Sequence, residues 1–291
     1  MSRPQLPALP TIELPAFLEP LKLKGFPLKT YPATLEPERP TKPQLYVFGP
    51  GWESKNTSFD VDCLAMQIYL KFCSIDFDIV QSNEPYASPK GKLPFLVVPP
   101  DHCLYGEQIH HWLQKHEKQK KLENTEQESE AQAFITMIEK KLGAALLFTL
   151  WLEPLNASKL TSDKYFGDVA RPIDKLLAYR KKEEVVQSLL IDRDVLIREE
   201  IYQAAAETLS ALSVKLGTNE HFFGSNLDRH PTLVDAFAFA YFHIILALPQ
   251  ITDSEISKEE RQQATALRNL LLNHSNLTQY TKKMYSTWLK Q

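Results

Sequence analysis

The side chains able to do chemistry are spaced as structural residues rather than as a reaction centre. His110, His111 and His116 fall on or near one predicted helix, but neither an HExxH pattern nor a paired-cysteine spacing accompanies them. No metal site is expected. Cys63, Cys73 and Cys103 form no CxxC and cannot all pair, which fits small buried thiols in a reducing compartment. The loop from Gly49 to Phe59 contains Ser54, Thr57 and Ser58 without a base in a recognisable setting. Glu107 stands where it can act as the N-terminal acid of a helix. His243, inside an apolar run, reads as a hydrogen-bonded buried histidine. Thr232 followed three residues later by Asp235, directly after Pro231, has the form of a capping box, in which each side chain meets a backbone N–H of the first turn. Asp235 is therefore assigned a folding role, and no catalytic residue, cofactor or metal is predicted. There is no glycine-rich phosphate loop.

The element most strongly specified is the helix that this capping box starts. From Leu233 to Leu248 only Asp235 and His243 interrupt the apolar residues, so no face of the helix can be left in water. At about 1.5 Å per residue it is roughly 24 Å long, short of the ~30 Å of a membrane's hydrocarbon layer. The pattern predicts a core helix. Further helical stripes are Phe134, Ile138, Leu142, Ala145 and Trp151, ending before Pro154; Ile197 to Leu216, capped by Gly217; and Leu277, Tyr280, Met284 and Trp288. The mixed-charge run Lys115 to Glu130 reads as a solvated linker or helix extension.

The first half has a different order. Leu45 to Phe48 reads as a buried strand, and Asp60 or Ser58 can cap a helix with Val61, Leu64, Ile68 and Phe72 at helical spacing. Alternation from Ile75 to Val80 predicts a second strand. The run Lys92 to Val98 predicts a third, His102 to Tyr105 a return strand, and Gly106 to about His116 a helix. Ahead of this lie 43 residues with ten of the chain's 20 prolines, which exclude continuous helix or central strand. They read as an extended arm, with a disordered leader as the alternative; an apolar signal core and an Arg-rich amphipathic pattern are both missing. Residues 21–32 of the arm are apolar enough to pack on a surface. A net charge of −3 over 291 residues gives no reason to expect nucleic acid as a partner. The expected organisation is arm 1–43, strand-containing domain 44–114, charged linker 115–130 and helical domain 131–291.

That domain order, with Pro94 opening the third strand and Phe222-Phe223-Gly224 ahead of the capping box, resembles the glutathione transferase superfamily. The resemblance implies an α+β chain: a thioredoxin-like N-terminal domain followed by an all-helical C-terminal domain. It also implies a cis bond at Leu93-Pro94, which base rates alone would not suggest, since only about 5–6% of X-Pro bonds are cis. The superfamily's enzymes need a Ser, Tyr or Cys after the first strand and an acid-serine pair after the fourth. Here Gln108 follows Glu107 where the serine belongs, and residues 80–92 are too few for a full second helix. Phe59-Asp60-Val61-Asp62-Cys63-Leu64, Gln81-Ser82-Asn83, Ala87-Ser88-Pro89 and Gly91-Lys92-Leu93-Pro94-Phe95-Leu96 resemble the metaxin family. Together with Phe26-Pro27-Leu28-Lys29-Thr30-Tyr31-Pro32, they resemble most closely the small metaxin-like subunit of the fungal mitochondrial sorting and assembly machinery.

This resemblance implies a non-enzymatic, peripheral subunit on the cytosolic face of the mitochondrial outer membrane. Its implied partners are an Omp85-type β-barrel membrane protein, a second metaxin-like subunit and β-barrel precursor proteins, whose β-signal it would help recognise. The expected partner-binding residues are Phe26, Pro27, Leu28 and Tyr31 of the arm, with Leu93 and Pro94. The competing readings are a glutathione-dependent transferase and a scaffold of the same fold.

Overall fold

The computed structural model describes residues 40–118, 122, 124–223, 230–252 and 256–290. The first strand, β1 (Gln44–Val47), alternates half-buried and buried positions, with Leu45 and Val47 fully enclosed. Helix α1 (Val61–Phe72) starts where Asp60 accepts a hydrogen bond from the Cys63 amide, satisfying one of the free N–H groups of the first turn. Strand β2 (Asp78–Gln81) is shorter than the alternation from Ile75 predicts. The register pairs Gln44 with Asp78, so the ladder would next reach Pro43, which lacks an N–H. The Asp78 amide donates to the Pro43 carbonyl, and Lys42 Nζ lies 2.9 Å from the Asp78 carboxylate.

The short stretch after β2 contains a single 3₁₀ turn, Pro85–Ala87, in place of a helix. Strand β3 (Phe95–Val98) begins after a cis Leu93-Pro94 bond, and β4 (His102–Tyr105) returns antiparallel to it. The sheet order is β2-β1-β3-β4, with β1 parallel to β2 and antiparallel to β3. Helix α2 (Glu107–Lys115) follows directly.

The helical half opens with α3 (Thr125–Met137), capped by Asn124, whose side chain accepts from the Gln127 amide. It therefore starts inside the segment read as a charged linker. A π turn, Ile138–Leu142, continues it into α4 (Gly143–Trp151). Gly143 marks a close crossing: a Cβ there would sit 2.9 Å from the Tyr241 hydroxyl. Two short helices, α5 (Pro154–Asn156) and α6 (Ser162–Phe166), lead to α7 (Ile173–Leu190). Next comes α8 (Arg198–Leu216), ended by Gly217 at φ +53°, a conformation that suits glycine. The core helix α9 (Leu233–Ala247) is followed by α10 (Lys258–Ala264), α11 (Ala266–Leu272) and α12 (Ser275–Trp288).

Helix α9 packs against α1, α3, α4, α11 and α12, which is why its sequence has no polar face. Phe239 and Phe242 are wholly enclosed, and such burial stabilises by about 1.5–3 kcal/mol per side chain. One side of α1 meets β1 and the other meets α9. At its C-terminal end Lys71 Nζ donates to the Trp288 carbonyl at 2.7 Å, and the Phe72 and Trp288 rings meet edge to face. Strand layer and helices thus share one core, within a single compact unit spanning Arg39–Gln291. No helix among the described residues is long and apolar enough to cross a membrane.

Candidate functional site

The N-terminal half of α1, the bend before β3, the start of α2 and two elements of the helical half enclose a cleft of about 560 Å³. Met66, Leu93, Pro94, Leu233 and Phe237 supply apolar wall. Lys90 and Lys92 stand on the strand side, and Asp62, Glu107 and Glu139 supply acid. The Lys90 ammonium lies 5.7 Å from the centre of the Tyr105 ring, fixing one lip through a cation–π contact. His110 packs against Tyr69, and burial lowers its pKa, the charge of Glu107 opposing the shift and that of His111 adding to it.

Burial at the base of the cleft wall raises the Asp62 pKa to about 7, with the negative charges of Asp60 and Glu139 adding to the shift and Lys92 opposing it. The side chain keeps an open flank toward water, so solvent screens part of this effect. Glu139 is also raised, again mainly by burial, with Lys140 opposing.

The loop hydroxyls lie elsewhere. Ser54 Oγ accepts from the Asn56 amide, Thr57 donates to the Ser54 carbonyl and is buried, and buried Ser58 accepts from the Asp60 amide. They shape the loop ahead of α1, and none lines the cleft. Burial pushes the Cys63 thiol well up, away from the reactive thiolate. Gln108, in the position after Glu107, turns its side-chain oxygen back to the Tyr105 amide at 3.4 Å. Among the described residues no three His, Cys, Asp or Glu side chains are grouped to hold a metal ion. The cleft can therefore grip apolar and charged groups, and Ser54, Thr57, Ser58 and Cys63 are not among the residues that line it.

Of the residues singled out from sequence, Leu93 and Pro94 line the cleft, and Glu107 sits in the first turn of α2 beside them. Phe26, Pro27, Leu28 and Tyr31, like Gly224, lie outside the described residues. Thr232 and Asp235 form the capping box, and the same carboxylate also accepts from the Phe222 amide and the Tyr280 hydroxyl. His243 departs from expectation: its ring is stacked between Phe239 and Tyr285, with no hydrogen-bond partner among the described residues. Burial accordingly lowers its pKa to about 4. Asp62, Tyr105, Glu139 and Phe237 were not legible as site residues. They come from four separate elements, and no local spacing connects them.

Residues 63–182 match the family model described as an outer mitochondrial membrane transport complex protein, and residues 205–284 match the glutathione S-transferase C-terminal domain. The chain is 27% identical to mouse metaxin-1 over 217 residues, covering 70% of this chain but 65% of that relative's length. To human metaxin-2 it is 26% identical over 232 residues, covering 76% of this chain and 79% of the relative. The crystal structure of a glutathione transferase from Phanerochaete chrysosporium shares the fold at a TM-score of 0.53, with 13% identity, covering 84% of this chain and 96% of that one. The chain is thus similar to the metaxins over about 70–76% of its length and shares the fold of the glutathione transferases.

Proposed function

We propose that this chain is a non-enzymatic subunit of the mitochondrial outer-membrane sorting and assembly machinery, corresponding to its small metaxin-like subunit. In this reading it sits peripherally on the cytosolic face, held by an Omp85-type β-barrel protein and a second metaxin-like chain. It helps recognise the β-signal of β-barrel precursors and supports their insertion. The observation that carries the reading is the cleft itself, which has the cis-proline bend at Leu93-Pro94 in its wall, while the hydroxyls of the loop after β1 lie outside it, tied into the loop backbone. Its relatives' descriptions, a mitochondrial outer-membrane transport component and the metaxins, support the location.

Such a role needs surface for an extended peptide. Among the described residues β2 and β4 are each paired on one side only, and an exposed edge can accept a further strand through main-chain hydrogen bonds. The cleft beside Leu93 and Pro94 adds apolar wall for side chains of such a strand. The arm residues Phe26, Pro27, Leu28 and Tyr31 complete the proposed partner contact.

The test is recovery of the tagged chain from mild-detergent mitochondrial extracts with quantification of what accompanies it. Near-equimolar β-barrel protein and second metaxin-like chain are expected. A chain recovered without them, and specifically retained on immobilised glutathione, would replace this reading with a transferase.

A further inference from the structure

Helix α7 is held from one side. Its buried residues are Val185 and Leu189, both in its C-terminal half, and it packs on α4 and α6. Its N-terminal half presents Ile173, Leu176 and Tyr179 to water, at 53%, 51% and 62% exposure. At three-residue spacing these side chains form one stripe on the helix, whereas exposed apolar residues on ordinary surfaces are scattered singly.

The stripe is collared by cations. Residues 171–182 contain five basic residues against one acid, Asp174. That acid is turned inward at 18% side-chain exposure, near Arg171 at 3.8 Å. Lys181 pairs with Glu184, while Lys175, Arg180 and Lys182 are exposed and make no ion pair among the described residues. Asp168 before the helix and Glu183 after the basic run bound the patch, confining it to the first turns.

We propose that the N-terminal half of α7 docks this chain on an anionic lipid bilayer, with Ile173, Leu176 and Tyr179 entering the headgroup boundary and Lys175, Arg180 and Lys182 meeting lipid phosphates. Apolar side chains can enter the headgroup boundary while nearby lysine and arginine are drawn to anionic lipid, and long basic side chains can keep their charge among phosphates while their stems cover apolar surface. Two of the three unpaired cations are lysines, which are depleted at the centres of protein interfaces, whereas tyrosine and arginine suit either setting. The proposal rests on the outer-membrane reading only for its setting, because the surface chemistry stands on its own.

The test is co-sedimentation of the purified full chain with vesicles of phosphatidylcholine alone and of phosphatidylcholine with phosphatidylserine. Binding is expected to the anionic vesicles, to weaken as salt is added, and to fall roughly 30-fold in Arg180→Ala/Lys182→Ala, the effect of removing two surface cations. Leu176→Ser/Tyr179→Ser should also lose binding while its circular dichroism spectrum stays that of the parent, since both positions are exposed. Equal binding to both vesicle types, or binding indifferent to both double variants, would overturn the proposal. So would a pair of variants that bind vesicles normally but no longer recover the second metaxin-like chain, which would make the face a protein interface. Vesicles carry no protein partner, so this outcome is independent of the assembly test.

Discussion

Replacing Asp235 with alanine should be among the most destabilising single changes in the helical half. The carboxylate is fully buried and accepts from the Thr232 amide at 2.8 Å, the Thr232 hydroxyl at 2.9 Å, the Phe222 amide at 3.1 Å and the Tyr280 hydroxyl at 2.9 Å. The hydroxyls can swing toward other acceptors, but the two amides are fixed by the backbone. Two stranded donors at about 1–3 kcal/mol each and a lost helix cap at about 1 kcal/mol outweigh the relief of no longer burying a carboxylate. A net loss of about 4 kcal/mol follows, and for a domain of this size that lowers the melting temperature by about 8–16 °C. Urea and thermal unfolding followed by circular dichroism at neutral pH would measure it. Tyr280→Phe and Thr232→Val, which each remove one hydroxyl, should cost about 1 kcal/mol apiece. If Asp235→Ala unfolds within about 1 kcal/mol of the parent, the capping box is not what anchors α9 to α12 and to the 222–223 segment, and the reasoning fails.

Arg198→Ala should leave the Glu153 carboxylate buried with only the Tyr202 hydroxyl at 2.9 Å as partner; because Arg198 is itself partly exposed, about 2 kcal/mol is expected in denaturant melts, and adding Glu153→Gln should recover much of it. His243 has its folded pKa lowered from 6.5 to about 4, so the unfolded chain binds the extra proton. Its contribution is fully present above about pH 6.5, lost progressively as pH falls toward 4, and worth roughly 3 kcal/mol over that interval. His243→Phe should flatten that part of the stability–pH curve. Gly143→Ala should cost about 1–3 kcal/mol by forcing the Tyr241 hydroxyl aside in a packed crossing, measured by the same melts. Immobilised glutathione should not retain the chain above a blank resin; specific elution with free glutathione would count against the non-enzymatic reading.

Much of the scaffold was legible locally. The apolar run after Thr232 is a core helix because protein packs around most of it, and the Thr232–Asp235 spacing marks its start because a first turn has N–H groups that only nearby side chains can meet. Asp60 and Gly217 were readable for the same kind of reason, one as an acceptor for α1 and the other as a residue tolerant of positive φ. The stripe from Phe134 to Trp151 marked its helix, but the preceding turns from Thr125 were hidden in a charged run that faces water and so carries no apolar period. The shortened β2 depended on where its partner strand begins, and a strand's length is a property of the pair. The isolated state of His243 was likewise undetermined by neighbours in sequence, since Tyr285 stacks on it from another helix.

The assembled cleft belongs mainly to the tertiary side of this division. Leu93 and Pro94 were singled out through the family resemblance and Glu107 as a helix acid, whereas Asp62 and Glu139 face one cavity only because α1 and the π turn after α3 both pack on α9. Sequence by itself determined which segments must be buried and where helices start and stop, because those demands are met within a few residues. Tertiary structure alone decided which charges share a cavity, since electrostatic coupling depends on distance through space and not along the chain.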